Sequence, residues 1–152
     1  MPKAADSAPK IDARLAQSLE RLHSNELSGV VRYLHYAHMI FGANRIPIVK
    51  WLKDQATESL DHAWLIGEKM TAFGLHPEMR VVPIVETGKH SVVDVLREAL
   101  EVERRGLEDY KALLALVREA CPDDSALEDW VRSFVSQETQ HLEDAEKMLR
   151  TM

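Results

Sequence analysis

Apolar side chains recur every three or four positions along four long stretches of this chain, and stripes of that period are buried when helices pack face to face. The first stripe runs from Ile11 to Gly42 through Leu15, Leu19, Leu22, Val30, Tyr33, Ala37 and Ile40. The second starts near Pro47, which suits a first turn, and ends at Gly74, a plausible C-terminal cap, with Pro77 just beyond. It carries Trp51, Leu52, Leu65, Ile66, Met70 and Phe73. The third begins at Ser91, with Asp94 three residues on, and stops before Pro122. It carries Val92, Leu96, Leu100, Leu107, Tyr110, Leu114 and Val117. The fourth begins at Asp124 or Ser125, where Ser125 and Glu128 form a capping box, and carries Leu127, Val131, Phe134, Ala145 and Met148.

The connections set the topology. FGANRIP joins the first two helices and ACPDDS the last two, and short links make antiparallel neighbours. LHPEMRVVPIVETGKH, between the second and third, is long enough to run the length of a bundle, so the third helix starts at the opposite end. The expected fold is all-α: an antiparallel four-helix bundle with one long crossover between the second and third helices. RVVPIV, interrupted by Pro83, is expected to pack along the bundle surface. Residues 11–152 form one domain, preceded by a short flexible tail over 1–10 that is small, polar and Pro-containing.

Composition excludes several classes. A net charge of -6 argues against nucleic-acid binding, which needs clustered Lys and Arg. A single cysteine, Cys121, rules out an intramolecular disulfide and a cysteine-rich zinc site. No apolar run approaches a membrane span, and the N-terminus lacks the apolar core of a signal peptide, so the chain reads as cytoplasmic, without a membrane partner.

Each stripe is broken near its middle by residues foreign to a core. Glu26 lies between Leu22 and Val30, and Glu103 between Leu100 and Leu107. Glu138 and His141 lie between Phe134 and Ala145. His62 lies between Leu52 and Ile66, with Glu58 one turn before it. Residues three or four apart share a helix face, so all six point inward at similar depth if the helices pack in register. Four carboxylates and two imidazoles suit a pair of iron ions, hard oxygen donors favouring the oxidised state and nitrogen tuning it; manganese accepts similar ligands.

A single inward Glu or His has ordinary explanations, such as a hydrogen-bonded core residue. Here the explanation must work in every helix, and no Lys or Arg lies centrally in the inward stripes. Each buried unpaired charge costs on the order of several kcal/mol, a large part of the ~5–15 kcal/mol that holds a domain together. A dinuclear cation removes that cost.

Carboxylate-bridged di-iron bundles take one Glu from each of two helices and Glu-x-x-His from each of the other two. Glu138-Thr-Gln-His141 matches, but the second helix reads Glu58-Ser-Leu-Asp-His62, with Ser59 where a glutamate is expected. Three readings stand: Glu58 reaches the metal from its own position, a π-bulge restores the alignment, or Glu58 faces elsewhere and one bridging ligand is missing. Tyr33, two turns after Glu26, either hydrogen-bonds a ligand carboxylate or belongs to the core, and Tyr110 stands likewise after Glu103. The histidines His23, His35, His38, His76 and His90 read as surface or loop residues.

The segments NELSGVVRYLHYAHM, ESLDHAWLIGEKM, LEVERRGLEDY and QETQHLEDAEKML, in this order and separation, resemble the bacterioferritin family from about Leu15 to Met148. The resemblance implies a ferritin-like di-iron protein in which Glu26, His62, Glu103, Glu138 and His141 form a ferroxidase centre holding two iron ions. It implies Glu138 as a bridge, Glu58 as a second bridge, and Glu26 and Glu103 as terminal ligands. The implied activity is oxidation of Fe(II) by dioxygen or peroxide, with ferric mineral stored inside a homo-oligomeric shell. Leu60 stands where the family has its haem-ligating methionine, so haem is not expected. The short fifth helix of the large shells is not expected after the fourth, which puts a 24-subunit cage in doubt and leaves a twelve-subunit shell or a dimer open. Two alternatives remain: a non-storage oxidase or peroxidase of rubrerythrin type, and a structural bundle with an impaired metal site.

Overall fold

The computed structural model describes residues 11–150, so the expected N-terminal tail lies outside the described residues. Four helices form, in the expected order: α1 (Ala13–Met39), α2 (Arg45–Ala72), α3 (Val92–Ala120) and α4 (Ser125–Leu149). Their starts are set by side chains that accept from otherwise orphaned backbone N–H groups. Asp12 accepts from the Arg14 N–H at 2.8 Å and Ser91 from that of Asp94 at 3.4 Å. At α4 the capping residue is Asp124, whose Oδ1 accepts from the Leu127 N–H at 2.9 Å. The Ser125–Glu128 box expected from the sequence does not form. Glu128 turns instead to Arg118, at 2.9 Å, and to Arg132. Gly74, at φ +76°, ends α2 in the left-handed conformation that a side chain disfavours, and the Leu75 N–H closes back on the Met70 carbonyl at 2.9 Å.

The core comes in two parts, and their membership gives the helix directions. One contains Leu15, Leu19 and Leu22 from the start of α1, Ile66 and Met70 from the end of α2, Tyr110, Leu113 and Val117 from the end of α3, and Leu127, Val131 and Phe134 from the start of α4. The other contains the opposite end of each helix: Tyr33 to Ile40, Ile48 to Ala56, Val95 to Ala99, and Met148 with Leu149. So α1 runs antiparallel to α2 and to α3, and α3 antiparallel to α4, as the two hairpins and one crossover require.

The crossover lies along α1. The Val82 N–H donates to Ser28 Oγ at 2.7 Å, and the His90 ring stacks on Phe41 at 4.2 Å, bringing the start of α3 to the end of α1. His23, expected at the surface, is buried on α1 with Gly67 of α2 opposite its ring. No helix of the described residues is long and apolar enough to cross a membrane.

Candidate metal centre

Between the two halves of the core the helices present polar side chains. Glu103 is 4% exposed, Glu138 7% and His62 3%. The helical spacing explains the placement: Glu26 follows Leu22 by four residues, Glu103 precedes Leu107 by four, and Glu138 follows Phe134 by four, so each shares the inward face of its apolar neighbour.

Two groups of ligand atoms converge. Glu26, His62 and Glu138 form one, and Glu103, Glu138 and His141 the other, with the atoms of each group within 4.8 Å of one another. Glu138 belongs to both. His62 Nδ1 lies 3.3 Å from Glu26 Oε1 and 3.3 Å from Glu138 Oε1. On the other flank His141 Nδ1 lies 3.9 Å from Glu103 Oε2 and 4.0 Å from Glu138 Oε2. Both rings therefore turn Nδ1 toward the carboxylates of the two ligand groups.

Each Nε2 is held from behind by the opposite hairpin. His62 Nε2 donates to Gln137 Oε1 of α4 at 2.7 Å. His141 Nε2 donates to Glu58 Oε2 of α2 at 2.9 Å. Gln137 stands four residues before His141, and Glu58 four before His62. The two thus occupy equivalent positions, and each serves the histidine of the other helix. Glu58 lies outside both ligand groups, its side chain 40% exposed and also accepting from Gln55 Nε2 at 3.3 Å.

The tyrosines cross over in the same way. Tyr33 of α1 donates to Glu103 of α3, and Tyr110 of α3 donates to Glu26 of α1. Both helices carry the pattern Glu-x-x-Gly-x-x-x-Tyr, as Glu26-Leu-Ser-Gly29-Val-Val-Arg-Tyr33 and as Glu103-Arg-Arg-Gly106-Leu-Glu-Asp-Tyr110. The centre therefore has an approximate internal two-fold, relating α1 to α3 and α2 to α4. Besides the Glu58–Gln137 difference, it breaks at the bridging position. Glu138 lies over Gly106, where a Cβ would come 3.7 Å from its Oε2. The equivalent of Glu138 is Ser59, which faces Gly29 so closely that a Cβ there would sit 2.7 Å from the serine Oγ. In the sequence Ser59 stands out only as a departure from the glutamate pattern, and Gln137 carries no local signal at all. The repeated Glu-x-x-Gly-x-x-x-Tyr pattern was the available signal for Tyr110 and both glycines.

The electrostatics describe a site crowded with negative charge. Burial, then the charge of Glu138, pushes the Glu103 carboxyl well above the usual range, against the hydrogen bond from Tyr33 that lowers it. Burial works to discharge His62, but its hydrogen bonds to Glu138 and Glu26 outweigh that and push it up to about 10. The donor set fits a pair of hard divalent ions, with oxygen-rich ligands, one imidazole for each metal, and one carboxylate between them. A cavity of about 250 Å³ reaches the centre, with Asn25, Arg32, Arg105 and Asp109 among its lining.

Comparison with known proteins agrees with this architecture. The family model for the ferritin-like domain matches residues 16–152. A solved structure described as ferritin-like, diiron-carboxylate proteins from Bacillus anthracis str. Ames superposes with a TM-score of 0.82 at 19% identity, covering 90% of this chain and 95% of that one. No curated protein matches the sequence. The four-helix fold and a family match over nearly the whole chain lead to one conclusion: the chain belongs to the ferritin-like domain family.

Proposed function

We propose that this chain is a ferroxidase that oxidises Fe(II) at the carboxylate–histidine centre and serves iron storage and detoxification. The observation that carries the reading is Glu138, whose carboxylate belongs to both ligand groups and so can hold two ions side by side. In this reading Glu26 and His62 bind one iron and Glu103 and His141 the other. Two ferrous ions held together supply two electrons to a single oxidant, dioxygen or peroxide, without releasing a one-electron radical. Glu58 holds His141 in place and Gln137 holds His62, and such outer partners fix the ring and tautomer of a metal-binding histidine. Tyr33 and Tyr110 orient the outer carboxylates. No haem role is proposed, since Leu60 offers no lone pair and lies 53% exposed. Leu60 and Trp64, one turn apart on α2 and both exposed, support self-association with a second copy.

The test is to add Fe(II) anaerobically to metal-free protein, admit air or peroxide, and count iron bound and oxidised per chain, with Glu138→Ala alongside. Roughly two irons per chain, rapidly oxidised and lost in the variant, is the expected result for this class of centre. Continued uptake of many more supports storage, whereas arrest at two favours a non-storage oxidase or peroxidase. One iron or none would leave a structural bundle.

A further inference from the structure

The crossover between α2 and α3 passes over the cavity that reaches the centre, and few contacts hold it there. It forms no helix or strand. Val82 of the crossover and Ser28 of α1 both line that cavity, and the Val82 N–H donates to Ser28 Oγ at 2.7 Å. Between the segment and helices α1 and α3 lies a second cavity of about 570 Å³, with Arg21, Ser24, Glu78 and Arg80 among its lining. Met79 and Val85 stand 88% and 84% exposed, so little apolar packing fastens the segment. A second tie is His23 of α1, which hydrogen-bonds the Glu78 backbone. That histidine is 7% exposed, and its ring fits because α2 has Gly67 there: a Cβ at that position would lie 3.4 Å from Nε2.

We propose that the crossover is a pH-sensitive strap over the cavity, closed while the buried His23 ring is neutral and released when that ring takes up a proton. The strap acts whatever the centre binds. A neutral imidazole has one N–H, and the Glu78 backbone carbonyl accepts it. A protonated ring adds a second N–H and a full charge in a buried place. Charged and titratable side chains flank the ring on each element packed against it. On α1 they are Glu20 and Glu26, one turn to either side, and Glu26 turns to His62 and Tyr110. On α2 there is Glu68 beside Gly67, and on the crossover His76, Glu78 and Arg80. None of these side chains offsets the burial, which lowers the proton affinity of His23 against the Glu78 bond that raises it. The ring is thus held below its ordinary value of 6.5. Closure is at full strength above 6.5 and weakens as pH falls from there toward the lowered value. Over that interval each pH unit loosens the strap by up to about tenfold. The tie at Ser28 does not titrate.

The experiment follows amide exchange by NMR in the full chain, isotope-labelled and kept in chelator, at pH 7.5 and 5.5, corrected for the intrinsic pH dependence of exchange. The His23 ring is titrated in the same samples. The expected result is that the Val82 N–H loses several-fold of its protection at the lower pH, with about tenfold as the ceiling, while the core amides of the four helices keep theirs. The loss should track the His23 titration. His23→Gln keeps a donor for the Glu78 carbonyl and takes no proton, so Val82 should stay protected at both pH values. The inward carboxylates are unchanged in that variant, so their own titration cancels. His76→Gln, at an exposed position of the crossover, should leave the step intact. Equal protection of Val82 at both pH values overturns the proposal. So does a step that survives in His23→Gln or vanishes in His76→Gln, or a His23 ring that titrates while Val82 stays protected. If His23→Gln does not fold, the two titrations in the parent chain decide.

Discussion

A centre built to hold cations should destabilise the fold when they are absent, and Glu103→Gln measures by how much. Burial and the neighbouring Glu138 push the Glu103 carboxyl up to about 8, so near neutral pH the metal-free fold keeps it protonated while the unfolded chain ionises it. The sign follows. Below the ordinary value of 4.5 both states are protonated and nothing is lost; stability falls as pH rises from there toward 8. At pH 7 the loss covers the 2.5 pH units above 4.5, at ~1.4 kcal/mol each, or roughly 3 kcal/mol. Glutamine has the same shape, keeps an oxygen for the Tyr33 hydroxyl, and carries no charge. The metal-free variant should therefore be more stable than the parent by about 2–3 kcal/mol at pH 7, and by under ~1 kcal/mol at pH 5. For a chain of this length that is an increase in Tm of about 5–10 °C. The assay is thermal and urea unfolding in chelator at both pH values. Addition of Fe(II) under anaerobic conditions should then reverse the order, because a ligand at a thousand times its Kd adds about 4.1 kcal/mol to a fold that binds it. No gain at pH 7, or an equal gain at both pH values, would refute the reasoning.

Other consequences follow from the same geometry. Gln137→Leu should weaken metal binding about 10–100-fold by releasing the His62 ring, and Glu58→Ala should act likewise through His141, both read by metal titration of folded protein. Glu58→Gln, which keeps an acceptor for His141 Nε2, should recover most of the loss if Glu58 positions the ring and little if it binds metal. Tyr110→Phe strips a donor from Glu26 and should cost about 1–3 kcal/mol in urea unfolding. His62 is held protonated up to about 10, where the pull of Glu138 and Glu26 overcomes burial. Its contribution to metal-free stability is thus complete below 6.5 and lost as pH rises toward 10. Metal binding at pH 7 should expel that proton, and calorimetry in buffers of different ionisation heat would detect the release.

The helices and their inward carboxylates and imidazoles were legible because both are local. A stripe of period 3.6 places Glu26 beside Leu22 and Glu138 beside Phe134 whatever the rest of the chain does. What joins hairpins was not legible. Glu58 read as a ligand of its own helix's metal because it shares a face with His62; only the register of α2 against α4 sets it behind His141. Gln137 gave no local signal, since a glutamine beside a glutamate on a polar helix is ordinary. Tyr33 and Tyr110 read as ambiguous for the same reason, as each donates to a carboxylate on the other helix. At α4, Ser125–Glu128 fitted the capping pattern, but Asp124 was one residue nearer the turn and the arginines on α3 and α4 claimed Glu128.

The most direct test of the two-metal centre is diffraction from iron-soaked crystals at the iron absorption edge. Two anomalous peaks flanking the Glu138 carboxylate, one against His62 and the other against His141, are predicted. A single peak, or none in the space between these side chains, would contradict the account.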